Sequence, residues 1–132
     1  MITRVWARPM SALKVLGALM VLALMPVDAK AFSSTVTQRK EYLNGTAKIV
    51  EMAGTFRLSG GERIQTVRVT MMDSNRRDVS SAMGTVDRQN HTWKGSVGDF
   101  RGVYYRADFY LTDPNGRNLH VVSSSVYVWT GR

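Results

Sequence analysis

The 132-residue chain contains no cysteine and only two histidines. The absence of cysteine excludes thiol catalysis, zinc–thiolate sites and a disulfide framework. Because small secreted eukaryotic domains usually depend on disulfides, it also points to a bacterial envelope protein. His91 and His120 are far apart and have no His-x-His or His-x-x-x-His spacing, so we expect neither a metal site nor a cofactor.

Groups spaced for catalysis are also scarce. Serines are frequent, but none lies in a Gly-x-Ser-x-Gly elbow. Most acidic residues fall in turn-like segments, where aspartate caps its own backbone. We therefore expect a non-enzymatic protein with no catalytic residues. The alternative is a small secreted glycan-active enzyme or an accessory subunit of one.

No run of lysine and arginine marks a nucleic-acid-binding arm, so we expect no nucleic-acid partner. The net charge of the whole chain is +8. Residues 32–132 hold fourteen basic and nine acidic residues, a net charge of +5, and eleven of the basic residues are arginine. A dispersed arginine excess suits an acidic polysaccharide or the anionic surface of an envelope; the alternative is that it serves solubility alone.

Residues 1–31 have the three parts of a secretory signal peptide. Met1–Lys14 is basic and lacks acids, and Val15–Val27 is uncharged and apolar. This apolar run has 13 residues, whereas a membrane-spanning helix needs about 20. Ala29-Lys30-Ala31 is a small-x-small cleavage triplet. We expect a signal helix removed after Ala31, leaving a periplasmic or secreted protein without a stable membrane anchor; a retained anchor is the alternative.

The rest of the chain has the pattern of an all-β domain. Residues 32–46 form a leader or an edge strand, with a helical turn conceivable at Gln38–Leu43, and residues 47–132 form the domain itself. In Arg63–Met72, Val67, Val69 and Met71 alternate with polar residues, which is the period of a half-buried strand. Recurrent short strands between turns favour a small antiparallel β-sandwich, with a small antiparallel barrel as the alternative.

The last part of the chain predicts a β-hairpin. Val103–Leu111 alternates, the turn Asp113–Gly116 follows, and Leu119–Thr130 returns as one strand. This register places Tyr105, Ala107 and Phe109 in the core and exposes Arg106 and Asp108. On the returning strand it turns one face inward, formed by Val122, Ser124, Val126 and Val128. The alternative is a bulge at Ser123–Ser125, which would reverse the faces of the residues after it.

The stretches Gly102–Phe109, Leu111–Gly116 and Ser125–Val128 resemble the last two strands of bacterial immunoglobulin-like and fibronectin-III-like domains. In those domains a glycine and a tyrosine open the penultimate strand, and an Asp-x-x-Gly turn leads into the last one. The resemblance implies an immunoglobulin-like β-sandwich with Tyr105 as a core or corner tyrosine and Trp93 as a core tryptophan. It implies no particular function.

Aromatic and arginine side chains share the outward parity of the hairpin. Tyr104, Arg106 and Tyr110 lie on one strand, and Tyr127 and Trp129 lie on the other, opposite to the valines. Aromatic rings and arginine forks suit a sugar, an acidic glycan or a protein partner. The sequence therefore predicts a binding face for an envelope protein or an acidic polysaccharide. Two alternatives are cross-strand packing of these rings and a purely structural envelope component.

Overall fold

The computed structural model describes residues 32–131, and these residues form strands, turns and loops. Within this range no helix has the length and apolarity needed to cross a membrane. The predicted signal peptide and its cleavage site lie outside the described residues. The strands are β1 (Phe32–Asn44), β2 (Ala47–Leu58), β3 (Arg63–Met72), β4 (Asp78–Met83), β5 (Thr85–Asp87), β6 (Thr92–Asp99), β7 (Tyr104–Thr112), β8 (His120–Ser123) and β9 (Tyr127–Val128).

These strands form two antiparallel sheets, which confirms the predicted all-β class. One sheet, called here the β1 sheet, has the order β1-β2-β6-β5. The other, the β7 sheet, has the order β4-β3-β7, and β8 and β9 pair one after the other along the free side of β7. Strand β7 is therefore central, with neighbours on both sides.

The chain changes sheets at Gly84, which alone separates β4 from β5. Its amide donates a hydrogen bond of 2.8 Å to the carbonyl oxygen of Val67. A Cβ atom at Gly84 would lie 2.3 Å from the carbonyl oxygen of Lys94. Only glycine lets the backbone at this position approach the neighbouring strand so closely. This approach allows one continuous segment to form β4 in one sheet and β5 in the other.

Residues 32–44 form the edge strand β1, so the helical turn considered at Gln38–Leu43 is wrong. Gly45 has a φ of 66° and opens a two-residue turn that pairs Asn44 with Ala47. The Asn-Gly pair therefore folds the chain back into a hairpin rather than ending a helix. The strand pairs with β2 along its whole length, interrupted by one bulge at Thr37.

The core lies between the two sheets and follows the alternation expected for β3 and β7. Val67, Val69 and Met71 are fully buried, which confirms the predicted inner face of β3. The ring of Phe109 packs edge-on against Trp93 of the opposite sheet, at 5.1 Å between centroids, and Phe32 lies 5.2 Å from Phe109. The core is completed by Val50, Met52, Phe56, Ile64, Val97, Tyr105, Ala107 and Leu111.

The returning strand predicted at Leu119–Thr130 is broken into β8 and β9. At the break, the amide and the hydroxyl of Ser124 bond the carbonyl and the amide of Ala107, at 2.8 and 2.9 Å. The residues between the two strands shift the alternation by one position. In β9 and the residues after it, the positions expected to face inward therefore face outward, and the reverse. Val126 and Val128 are consequently exposed, contrary to the prediction that they face inward.

Candidate binding face

The outward face of the β7 sheet carries three of the five predicted binding residues. Tyr104, Arg106 and Tyr110 alternate along β7 with the buried residues of the core. Each is half-buried, because the strands on both sides of β7 bring their own side chains against it. These three side chains therefore lie in one line on one surface.

Tyr127 and Trp129 do not join this surface. The Tyr127 ring stacks on Tyr105, a core residue, with centroids 5.7 Å apart. The indole Nε1 of Trp129 donates a hydrogen bond of 3.3 Å to the carbonyl oxygen of Ile49 on β2. Both rings pack against the core, because the break before β9 turns them inward. The structure thus separates the five predicted residues into an outward group of three and an inward pair.

Asp108 lies between the outward residues and is buried, so the prediction that it is exposed is wrong. Its Oδ1 accepts hydrogen bonds from Arg106 Nε at 2.8 Å and Ser123 Oγ at 2.6 Å. Its Oδ2 accepts one from Thr70 Oγ1 at 3.1 Å. Alternation assigns a residue to the correct side of a strand but does not report how far the neighbouring strands cover that side. Here β3 and β8 cover it.

Arg106 has two carboxylate partners. Besides Asp108, its guanidinium contacts Asp78 at 3.3 and 3.5 Å and the sulfur of Met72 at 3.1 Å. Burial acts to lower the pKa of Arg106, but the hydrogen bonds to Asp108 and Asp78 outweigh it and raise the pKa above its ordinary value. Two carboxylates thus offset the single charge of Arg106. Its side chain is half-buried between them, so the prediction that Arg106 is exposed is wrong.

Two further arginines complete the surface, and the sequence analysis did not identify them as binding residues. The guanidinium of Arg76 lies 4.1 Å from the centroid of the Tyr104 ring, and that of Arg68 lies 6.0 Å from that of Tyr110. Neither arginine forms an ion pair with a carboxylate among residues 32–131. We call Tyr104, Arg76, Arg106, Arg68 and Tyr110 the arginine–tyrosine row.

The side chain of Arg68 is incompletely satisfied. One terminal nitrogen donates to Ser81 Oγ at 3.2 Å, and the other approaches the sulfur of Met83 at 3.6 Å. The Nε atom is buried and has no hydrogen-bond partner. Because it is buried, this Nε is out of reach of a ligand. The two terminal nitrogens have no carboxylate partner, and they are suited to bind an anion because arginine offers a planar fork to a carboxylate or phosphate.

Arg76 reaches Tyr104 from a strained turn. It has a φ of 65°, in the left-handed region that disfavours a residue with a Cβ. The turn Asp73–Arg77 has the same hydrogen bonds as Asp113–Arg117, in which Gly116 takes the equivalent position with a φ of 79°. The chain thus places arginine where the matching turn uses glycine. His91 and Asn118 share this conformation, so the positive φ explains where the Arg76 side chain lies and does not by itself mark a site.

Alternation along β3 already places Arg68 on the outward face, but the sequence does not show that β3 pairs with β7. That pairing sets Arg68 opposite Asp108 and brings it beside Tyr110. Arg76 lies in a turn, outside any strand alternation, so its position over Tyr104 depends on the left-handed conformation.

Other groups with chemical potential are dispersed. Among residues 32–131 no three histidine, cysteine or acidic side chains are placed to hold a metal ion. Asp73 and Asp113 bond the backbone amides of their own turns. The ring of His91 lies 5.4 Å from that of Phe56. We therefore take the arginine–tyrosine row, on the outward face of the β7 sheet, as the candidate binding face.

Comparison with known proteins gives no family assignment. The chain matches no protein-family model, and no curated protein sequence matches it significantly.

Proposed function

We propose that this chain is an exported, non-enzymatic binding module whose partner is an envelope protein or an envelope polysaccharide. The observation that carries this proposal is the arginine–tyrosine row, in which two arginines without carboxylate partners lie near tyrosine rings, Arg76 packed over Tyr104 and Arg68 at the outer limit of a cation–π contact with Tyr110. A guanidinium that contacts an aromatic ring is already restrained before the ligand arrives. The arginine side chain therefore loses less conformational entropy when it binds an anion. Export rests on the three-part pattern of residues 1–31.

The proposal includes an immunoglobulin-like β-sandwich, and the strand order supports it. In that fold strands A, B, E and D form one sheet and C, F and G the other, with an added strand beside C in some members. Here β1, β2, β6 and β5 take the first set of places, and β3, β7 and β8 the second, with β4 beside β3. Tyr105 is fully buried near the start of β7, as a core or corner tyrosine would be.

Two details differ from antibody-type domains. Trp93 is buried, but it lies on β6, the place of strand E, rather than on the third strand. The hydroxyl of Tyr105 bonds Glu41 and Arg39 of β1 rather than a nearby backbone group. The proposed relationship to immunoglobulin-like domains is therefore one of strand order, and it does not identify a binding partner.

A structural role through open sheet edges has less support. The long edge strand β1 carries the charged run Arg39-Lys40-Glu41 and a bulge at Thr37. Charges and bulges are the usual means by which an edge strand avoids pairing with another chain. An enzymatic role would need convergent polar groups in a concave site, and the row lies on the face of a sheet.

The test is capture of envelope components by the exported protein. We expect the double variant Arg68→Gln with Arg76→Gln to remain folded by circular dichroism and to lose the captured partner. The matched control is Lys40→Gln with Lys94→Gln, which removes the same charge from exposed positions on the β1 sheet. Equal losses in both variants, or no loss in the first, would remove the row from consideration.

A further inference from the structure

The two arginines of the row that lack a carboxylate partner, Arg68 on β3 and Arg76 in the turn after it, lie toward opposite ends of β7. Their tyrosine partners, Tyr104 and Tyr110, are six residues apart on β7. At a rise of about 3.3 Å per residue this separates the two tyrosine positions by roughly 20 Å along the strand. A single small anion cannot reach both arginine–tyrosine pairs, whereas an extended chain lying along β7 can.

The groups between these two pairs do not attract further negative charge. Arg106 is bonded to two carboxylates, Asp78 and Asp108, and the Asp78 side chain is exposed, so the free positive charge lies at the two ends of the row. A complementary ligand would carry a negative group at each end of this span and uncharged polar groups between them. Between the ends, the surface carries the hydroxyl of Thr66, which is half-buried, and those of Ser81 and Ser123, which are exposed.

The position of the row on the sheet favours a sugar polymer over a peptide. An extended peptide that binds a sheet usually adds as a strand at an edge, through backbone hydrogen bonds. The row instead lies on side chains of β3, the turn that follows it and β7, where backbone groups are already paired. Guanidinium, phenol and aliphatic hydroxyl groups match the carboxylates and hydroxyls of an acidic sugar.

We infer that the row binds an extended acidic polysaccharide, one in which uncharged sugars separate the uronates, and that two of its carboxylates engage Arg76 and Arg68 at the same time. This inference rests on the proposed function and specifies its ligand. Two linked contacts raise the effective concentration of the second contact once the first has formed. Affinity should therefore depend on whether the ligand spans both ends of the row.

The test is calorimetric titration of the exported protein with uronate oligomers of increasing length. We expect affinity to rise by about tenfold or more once the oligomer exceeds roughly 20 Å, which is a modest share of the gain that linked sites can give. Either single variant, Arg68→Gln or Arg76→Gln, should abolish this step and leave long oligomers as weak as short ones. Lys94→Gln is the matched control and should retain the step.

Three further probes decide the ligand class. An uncharged glucan of equal length should not bind, and added salt should weaken uronate binding because exposed charges are screened. Polyglutamate or anionic phospholipid vesicles binding as tightly as the uronate would overturn the inference, as would affinity that does not change with length. If uronate oligomers do not bind but the capture of envelope components still depends on Arg68 and Arg76, the proposed function stands and this ligand is wrong. If the double variant also captures the same components as the parent protein, both the ligand and the proposed function are wrong.

Discussion

Removing the buried carboxylate of Asp108 tests how much its hydrogen bonds stabilise the outward face of the β7 sheet. Asp108→Ala leaves the hydroxyls of Thr70 and Ser123 and the Nε of Arg106 without their acceptor. Hydrogen bonds to a charged group contribute about 1.5–3 kcal/mol each, and removing one partner of a buried ion pair costs about 3–5 kcal/mol. The Arg106 side chain is 23% exposed and keeps Asp78 as a partner, so the lower end of the ion-pair range applies. We therefore expect Asp108→Ala to reduce the free energy of unfolding by about 3 kcal/mol.

Urea denaturation measures this cost as a lower midpoint with an unchanged slope. Asp108→Asn keeps an acceptor of the same size, and we expect it to cost about 1 kcal/mol, the worth of an ordinary hydrogen bond. Asp78→Ala removes only an exposed partner of Arg106, and we expect less than about 1 kcal/mol. If Asp108→Ala cost no more than Asp78→Ala, the buried network would contribute nothing and the reasoning would be refuted.

Four further expectations follow from the structure. Phe109→Ala should cost about 3–5 kcal/mol in thermal or urea unfolding; a smaller loss would contradict its core position. Arg76→Gly should leave the melting temperature nearly unchanged, because relief of about 1 kcal/mol of strain offsets a lost cation–π contact, yet weaken uronate binding. Burial tends to raise the pKa of Glu41, but its hydrogen bonds, including that from Tyr105, lower it. Stability should therefore fall as pH drops below about 4.5, and Glu41→Gln should flatten that loss. Intact-mass analysis should show an exported chain starting at Phe32, and a mass retaining residues 1–31 would contradict the cleavage site.

The strand faces could be predicted from the sequence wherever alternation ran without interruption. In β3 and β7 the apolar residues recur at every second position, and burial of Val67, Val69, Tyr105 and Phe109 follows from that period. The same rule failed after β8, because the hydrogen bonds of Ser124 to Ala107 break the strand and shift the phase. The serine run at Ser123–Ser125 made a bulge possible without showing that it occurs, and the shift turned two of the five predicted binding residues inward.

The binding face could be predicted only in part, because it depends on contacts between distant segments. Tyr104, Arg106 and Tyr110 belong to one strand and were identified together. Arg68 needed the pairing of β3 with β7, and Arg76 needed a left-handed turn at a residue that ordinarily avoids one. Neither a strand partner nor a positive φ at arginine is encoded in local propensity.

Amide chemical shifts of the exported protein, recorded during titration with a long uronate oligomer, test the central claim most directly. The account predicts that the perturbed amides cluster along β7 from Tyr104 to Tyr110, at Arg68 on β3 and at Arg76 in the turn. Residues of β1 and β6, on the opposite sheet, should remain unchanged. Shifts confined to the β1 sheet, or no shifts at all, would contradict the assignment of the arginine–tyrosine row as the binding face.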